Sequence, residues 1–553
     1  MLAVTDDRYK HDCDKRELTM LVEPASTAAE ALEPTTLADA RRRPDWPRWK
    51  GGVCEELDTL EKAGTWELVD PPPNANIIGS KWVFRVKKDA AGNIVCYKAC
   101  LVTQGFSQVP GIDYFDTYAP IAKLASIRTV LAYAARQNLE LHQIDIKGAY
   151  LNGKLNESEV IYMRQPPGYA DPKYPHRVCR LRKTLYGLKQ SGRRWYQRLV
   201  EILVTKLGFK QCKVDQAVFV KQERSSLTII VVHVDDCTIA ATALALITAV
   251  KREISRFVEV TDLGELHWLL GIEVTRNREE HTLALSQRTY IDAILRRFNF
   301  DELKPISTPM DPSARLTTSQ SPSTAAEYAA MQNIPYQEAV GSLMYAALGT
   351  RPDISYAVSQ VSRFSSNYSQ AHWDAVRRIY RYLLGTKNLQ LTYGGGEKQL
   401  AGYTDADGSV TEDRRAISGY AFLIDGGAVS WSSKRQEIVS LSTTESEYVG
   451  ATHAAKEALW LRTLISSLFT PLSQPTTLFS DNQSAIALAK DHQYHARTKH
   501  IDVRFHFIRW IVENGKIRLI YCPTGDMVAD VFTKALPSPK VKHFAVELGL
   551  RAA

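Results

Sequence analysis

The chain has 553 residues, 44% of them hydrophobic, and a formal net charge of +8. That length suits about three or four domains, the apolar content excludes global disorder, and no apolar run reaches the roughly 18 residues of a membrane span. The charge is mild for the length, so its distribution says more than its total. The N-terminus lacks the basic-then-apolar pattern of a signal peptide. Eight cysteines are scattered; only Cys96 and Cys100 lie close together, so no zinc site completes and they read as free thiols of a reducing compartment.

Residues 1–45 are polar, carry the run Arg41-Arg42-Arg43, and read as a linker or the remnant of an upstream domain. Structure is expected from Trp46 onward, where aromatics precede the amphipathic positions Val53, Leu57 and Leu60. Strands and helices then alternate to about 304. In the strand 139–146, Ile144 and Ile146 point one way and Asp145 the other, because strand side chains alternate. Residues 180–198 hold Arg180, Arg182, Lys183, Lys189, Arg193, Arg194 and Arg198 with no acid among them and with interleaved aromatics. That mixture grips phosphates and stacks bases, the alternative being a solvated helix face. Residues 227–240 form a β-branched run, two carboxylates and a second apolar run, the pattern of a hairpin with Asp235 and Asp236 at its tip. An Asp-rich turn is the bland reading. Set beside Asp145, the hairpin makes a three-carboxylate cluster, whose repulsion and lost hydration call for a hard divalent cation such as Mg²⁺.

The stretch 305–327 is rich in Pro, Ser and Thr and reads as a linker, and 333–395 reads as helical. Gly394-Gly395-Gly396 separates a last compact block, 399–537, whose pattern is strand, strand, strand, helix, strand, helix, helix, strand. Residues 538–553 are taken as a tail. In the last block Ser442 and Glu445 fit a capping box, which makes Glu445 structural and leaves Glu447 for chemistry. Asp481 ends a strand before a helix, and taken alone it suits a helix cap.

The ordered motifs Gln143-Ile144-Asp145-Ile146-Lys147-Gly148-Ala149-Tyr150-Leu151-Asn152-Gly153, Leu185-Tyr186-Gly187-Leu188-Lys189-Gln190 and Val234-Asp235-Asp236 resemble the palm of copia-type retrotransposon reverse transcriptases. Lys81-Trp82-Val83-Phe84, Tyr97-Lys98-Ala99, Gly111-Ile112-Asp113-Tyr114 and Tyr118-Ala119-Pro120 extend the resemblance, which runs from about 46 to 537. It implies an α+β multidomain protein: fingers and palm over 46–304, linker and helical thumb or connection over 305–398, and an α/β ribonuclease H-like domain over 399–537. It also implies that Asp145, Asp235 and Asp236 hold catalytic metals. Lys98, Tyr150, Gly187, Lys189 and Gln190 would face substrate. Tyr150, five residues after Asp145, would lie under the incoming sugar and exclude a 2′-hydroxyl; a packed core aromatic is the alternative. Two positions depart from the family: His233 stands where Tyr is usual, and Cys100 where Arg is usual. The second change removes a permanent charge and a bidentate phosphate fork.

The C-terminal acids, with their neighbours, resemble ribonuclease H. Asp405, Glu447, Asp481 and Asp530 are the matching positions, with Asp407 and Asp526 as rivals for the first and last. Arg497, Lys499 and His500, in a further copia-type signature, would grip phosphates. Cys522-Pro523-Thr524-Gly525 occupies the loop in which retroviral-type enzymes often carry a His. Each site would hold two Mg²⁺ ions, with Mn²⁺ as substitute. The implied activities are RNA-directed DNA polymerisation and endonucleolytic cleavage of an RNA–DNA hybrid. The implied partners are RNA template, DNA primer, the hybrid and dNTPs, without a membrane. The expected location is cytoplasmic, in a virus-like particle, with nuclear entry as a further destination. No protease or integrase motif is evident, so Met1 is expected to open a truncated frame or processed-like fragment. The competing readings are an impaired remnant that folds and binds nucleic acid without turnover, and a host scaffold using only the basic region.

Overall fold

The computed structural model describes residues 33–88, 94–396, 399–408, 414–490 and 507–553. The protein is a mixed α+β, multidomain chain. Among the described residues no helix is long and apolar enough to cross a membrane.

Helix α1 (Trp46–Lys62) buries Trp49, Val53, Leu57 and Leu60 at helical spacing. That face covers a hairpin of β1 (Ser80–Lys88) and β2 (Ile94–Thr103). Trp49 meets Phe84 and Tyr97 edge-on, with centroids 5.3 and 4.7 Å away. Gly52 permits the approach, since a Cβ there would stand 2.4 Å from the Tyr97 carbonyl oxygen. The order begins earlier than the expected linker 1–45 allowed. Residues Leu37–Arg42 form a helix capped by Thr36, Ala40 is buried, and Glu33 accepts from the Val86 N–H at 2.9 Å. This segment is polar and short, and long-range contacts order it rather than any apolar pattern of its own.

The second body contains α2 (Leu124–Gln137), β3 (Glu140–Ile146), α3 (Ser191–Val200), β4 (Lys210–Gln211), β5 (Val218–Glu223), β6 (Ser226–His233), β7 (Asp236–Ala241), α4 (Leu244–Ile254) and β8 (Val260–Glu265). Its antiparallel sheet runs β8-β3-β7-β6-β5-β4. Ile144, Ile146, Ile230, Val232 and Ile239 pack with Trp195 and Leu199 of α3 and Ile247 and Ile254 of α4. Leu141, Ile229, Val231 and Ala240 pack on the other face with Ile127, Val130 and Leu131 of α2. Both faces of β6 are therefore covered, which explains its near-continuous apolar run.

A third body combines β9 (Ile272–Asn277), β10 (Thr282–Ser286), α5 (Tyr336–Gly349), α6 (Gln370–Thr386) and β11 (Leu389–Tyr393). The stretch 305–327 is a strap on these helices rather than a free linker: Thr308 accepts from Arg378, and the Thr317 carbonyl meets His372. The glycine run is likewise packed, since a Cβ on Gly394 would stand 2.5 Å from the His281 carbonyl oxygen.

The last block holds β12 (Ala401–Asp407), β13 (Ile417–Ile424), β14 (Gly427–Arg435), α7 (Thr443–Leu468), β15 (Thr476–Ser480), α8 (Gln483–Lys490) and β16 (Ile517–Tyr521). Its mixed sheet runs β14-β13-β12-β15-β16, parallel at the β12–β15 and β15–β16 pairs. Residues 538–553, expected as a tail, are α9 (Ser538–Glu547) and β17 (Leu550–Ala552), and β17 pairs with β11 of the third body. Arg128 on α2 ties the bodies together. Its buried guanidinium donates to the carbonyls of Val429, Leu348 and Gly349 at 2.8, 2.7 and 3.0 Å and lies 3.8 Å over the Trp431 ring.

Candidate active sites

The first site is built where β3 and β7 meet. Asp145, near the end of β3, is the direct partner of Asp236, the first residue of β7. Asp235 sits one residue earlier, in the turn that follows β6. Asp145 and Asp236 are each 4% exposed. Gln143, two residues before Asp145 on the same strand face, donates to Asp236 at 2.7 Å. Burial pushes the Asp236 carboxyl up to about 7; the Gln143 bond opposes the shift and Asp235 adds to it. The buried Cys237 thiol is raised by its burial and then by all three carboxylates, which marks how closely they gather. Burial lowers the His233 imidazole below its ordinary range, and its buried Nδ1 has no hydrogen-bond partner.

Around this centre, Tyr150 lies in a 3₁₀ turn directly after β3 and meets Tyr186 edge-on at 4.9 Å. Burial raises its phenol, and Asp235 raises it further. Lys98 lies on β2, and Lys189 is exposed. Two residues expected to face substrate also have internal contacts. Gln190 is fully buried, donates to the Asp113 carbonyl at 2.8 Å and accepts from Gln108 at 3.1 Å. Gly187 (φ +94°) lets its backbone pass β2: a Cβ would stand 2.2 Å from the Thr103 carbonyl oxygen. The basic segment 180–198 finds acids that the local sequence does not contain. Arg180 and Arg182 pair with Glu67, Arg193 with Asp116, Arg194 with the buried Glu159 and Arg198 with Glu201. Much of its charge is thus committed to the fold, and Lys183 and Lys189 are not among these pairs.

The second site lies at the centre of the β12–β15 sheet. Asp405 is on β12, Glu447 in the first turns of α7 and Asp481 just after β15. One oxygen from each lies within 4.8 Å of the others. This is the one such three-ligand group among the described residues. Helix α8 is capped by Asn482, whose Oδ1 accepts from the Ala485 N–H at 2.9 Å. Asp481 therefore is not the cap; it accepts from Thr524 at 3.0 Å. Glu445 accepts from the Leu441 N–H at 2.7 Å while Ser442 caps the helix, a structural role as expected, one residue displaced from a capping box.

Asp530, in the turn Val528–Phe532, reaches the group through Lys534. That ammonium lies 2.9 Å from Asp530 and 3.3 Å from Asp405. Thr533 also donates to Asp405. Burial raises Asp405, against Lys534 and Thr533. Burial, then Asp405 and Asp481, push Glu447 up to about 10, and its buried Oε2 has no hydrogen-bond partner. Burial and Asp405 push Asp530 up to about 6, opposed by Lys534. A buried carboxylate group that holds protons this tightly is a ready binder for a divalent cation. Asp526 is exposed and outside the group. Lys534 and Thr533 escaped the sequence reading, although Asp530 and Lys534 stand at the i, i+4 spacing that pairs opposite charges. Arg497, Lys499 and His500 lie outside the described residues.

The sequence profile of the family described as reverse transcriptase (RNA-dependent DNA polymerase) matches residues 63–312. The Retrovirus-related Pol polyprotein from transposon TNT 1-94 of Nicotiana tabacum is 41% identical, over 92% of this chain and 38% of that protein. The corresponding polyprotein from transposon RE1 of Arabidopsis thaliana is 38% identical, over 95% of this chain and 35% of its own length. The Putative transposon Ty5-1 protein YCL074W of Saccharomyces cerevisiae is 31% identical, over 57% of this chain and 100% of that protein. The chain thus spans well under half the length of the two polyproteins.

Proposed function

The chain belongs to the family of copia-type retrotransposon Pol polyproteins, and from that premise we propose that it is an RNA-directed DNA polymerase with a linked ribonuclease H. The observation that carries the reading is the direct pairing of Asp145 with Asp236 beneath the turn that holds Asp235. Three acids on adjacent backbone, two of them buried, are the residues that would hold divalent cations here. When bound, such ions neutralise phosphate charge and activate the attacking oxygen. The chain's own residues orient and exclude. Tyr150, whose ring meets Tyr186 edge-on and whose phenol feels Asp235, would exclude a sugar 2′-hydroxyl. Lys98 on the fingers hairpin and Lys189 near the start of α3 offer cations to a triphosphate or backbone phosphate.

In the second site Asp405, Glu447, Asp481 and Asp530 would hold the divalent ions for cleaving the RNA strand of a hybrid. Burial and the neighbouring Asp405 and Asp481 favour the protonated form of Glu447, so holding a cation there would require the loss of that proton. Lys534 balances Asp405 and Asp530 meanwhile. The test is extension of a DNA primer on a labelled RNA template with Mg²⁺, using Asp235→Asn and Glu447→Gln. Extension should vanish in the first alone and RNA cleavage in the second alone. Template binding without either reaction in the unaltered protein would support the impaired-remnant reading instead.

A further inference from the structure

The turn that carries Asp235 contains a residue that resists its backbone. Val234 has φ +62°, a left-handed conformation that is an outlier for a β-branched side chain. Such a conformation persists only when its surroundings over-determine it. Two hydrogen bonds reach the turn from other elements. The Ile146 N–H, directly after Asp145, donates to the Asp235 carbonyl at 2.9 Å. The Trp195 indole N–H, on α3, donates to the Val234 carbonyl at 2.6 Å.

Trp195 is 2% exposed and packs in the core that also holds Ile144, Val232 and Ile239. An indole has one donor and no acceptor, and here the Val234 carbonyl takes that donor. A phenyl ring would fill much of the same space, so the N–H is what distinguishes tryptophan at this position. Trp195 lies within the basic, aromatic segment whose arginines pair with acids of the fold.

We propose that Trp195 is the positioning residue of the polymerase turn: its indole N–H grips the Val234 carbonyl, keeps Val234 in left-handed backbone and so holds Asp235 beside Asp145 and Asp236. The activity readout rests on the polymerase reading; the backbone readout below does not.

Trp195→Phe keeps a ring and removes the donor. On a DNA primer and RNA template with Mg²⁺, kcat should fall about tenfold, the scale of one net hydrogen bond, while the KM for dNTP moves by less than about threefold. Glycine enters left-handed backbone without steric cost. In a Val234→Gly background the same Trp195→Phe change should therefore cost less than about threefold in kcat. Hydrogen exchange of the peptide spanning 231–239 should quicken in Trp195→Phe, with the rest of the palm sheet unchanged. An equal kcat loss in both backgrounds, or unaltered exchange of that peptide, would overturn the assignment. If the unaltered protein extends no primer, the polymerase reading fails, and the exchange measurement still decides the role of the indole.

Discussion

Asp236→Asn should stabilise the metal-free protein, and the gain should depend on pH. Asp236 is 4% exposed. Burial, with Asp235 adding and Gln143 opposing, lifts its carboxyl from 3.8 to about 7. The folded state therefore binds the proton more tightly than the unfolded chain. That contribution is complete below about pH 4 and is lost progressively as the pH rises through about 7. A shift of about three units corresponds to a ceiling of about 4 kcal/mol. Relaxation and water entry around the buried charge reduce the working expectation to about 1–2 kcal/mol. Asparagine cannot ionise, and its Oδ1 can still accept from Gln143. In EDTA at pH 8 the variant should melt about 2–6 °C above the unaltered protein in the transition of the palm. At pH 5 the gap should narrow, because Asp236 is then largely protonated. With Mg²⁺ the order should reverse, since a bound cation stabilises only the chain that retains its ligand. A gap of equal size at both pH values, or a variant less stable at pH 8 in EDTA, would refute the reasoning.

Tyr150→Ala should retain primer extension and admit ribonucleotides, read from the ratio of rNTP to dNTP incorporation; an unchanged ratio would place Tyr150 in the core instead. Lys534→Met should destabilise the C-terminal block in EDTA by about 1–2 kcal/mol, for a partly exposed ammonium facing two buried acids, read as a lower melting temperature, and Mn²⁺ should restore more stability to the variant than to the unaltered chain. Arg128→Met should leave the carbonyls of Val429, Leu348 and Gly349 without their shared donor, cost at least about 3 kcal/mol, and split denaturant unfolding into separate steps for the palm and the C-terminal block; a single unchanged transition would contradict it.

Much of this architecture is legible locally. The β-branched run before Asp235 is long and bounded, and a strand covered on both faces requires that pattern. The periodic order of the C-terminal block follows from alternating segments with clear caps, and Ser442 with its following acids separates the structural Glu445 from Glu447. What escaped depends on residues distant in the chain. The arginines of 180–198 looked uncompensated because Glu67, Asp116 and Glu159 lie elsewhere in the sequence. The internal partners of Gln190, Gln108 and the Asp113 carbonyl, come from a loop about eighty residues upstream, so its structural role is not legible locally. Residues 538–553 read as a tail because a three-residue strand has no periodicity, and only β11 defines it. Asp481 and Asn482 are adjacent, and composition alone does not decide which one turns back to cap α8. Lys534 carries no acidic signature of its own, and only the fold shows that it faces both Asp405 and Asp530.

The most direct test of the two-site account is anomalous diffraction from crystals grown with Mn²⁺. Density is expected against Asp145, Asp235 and Asp236, and separately among Asp405, Glu447 and Asp481. Manganese absent from both clusters, or bound only to exposed acids, would contradict it.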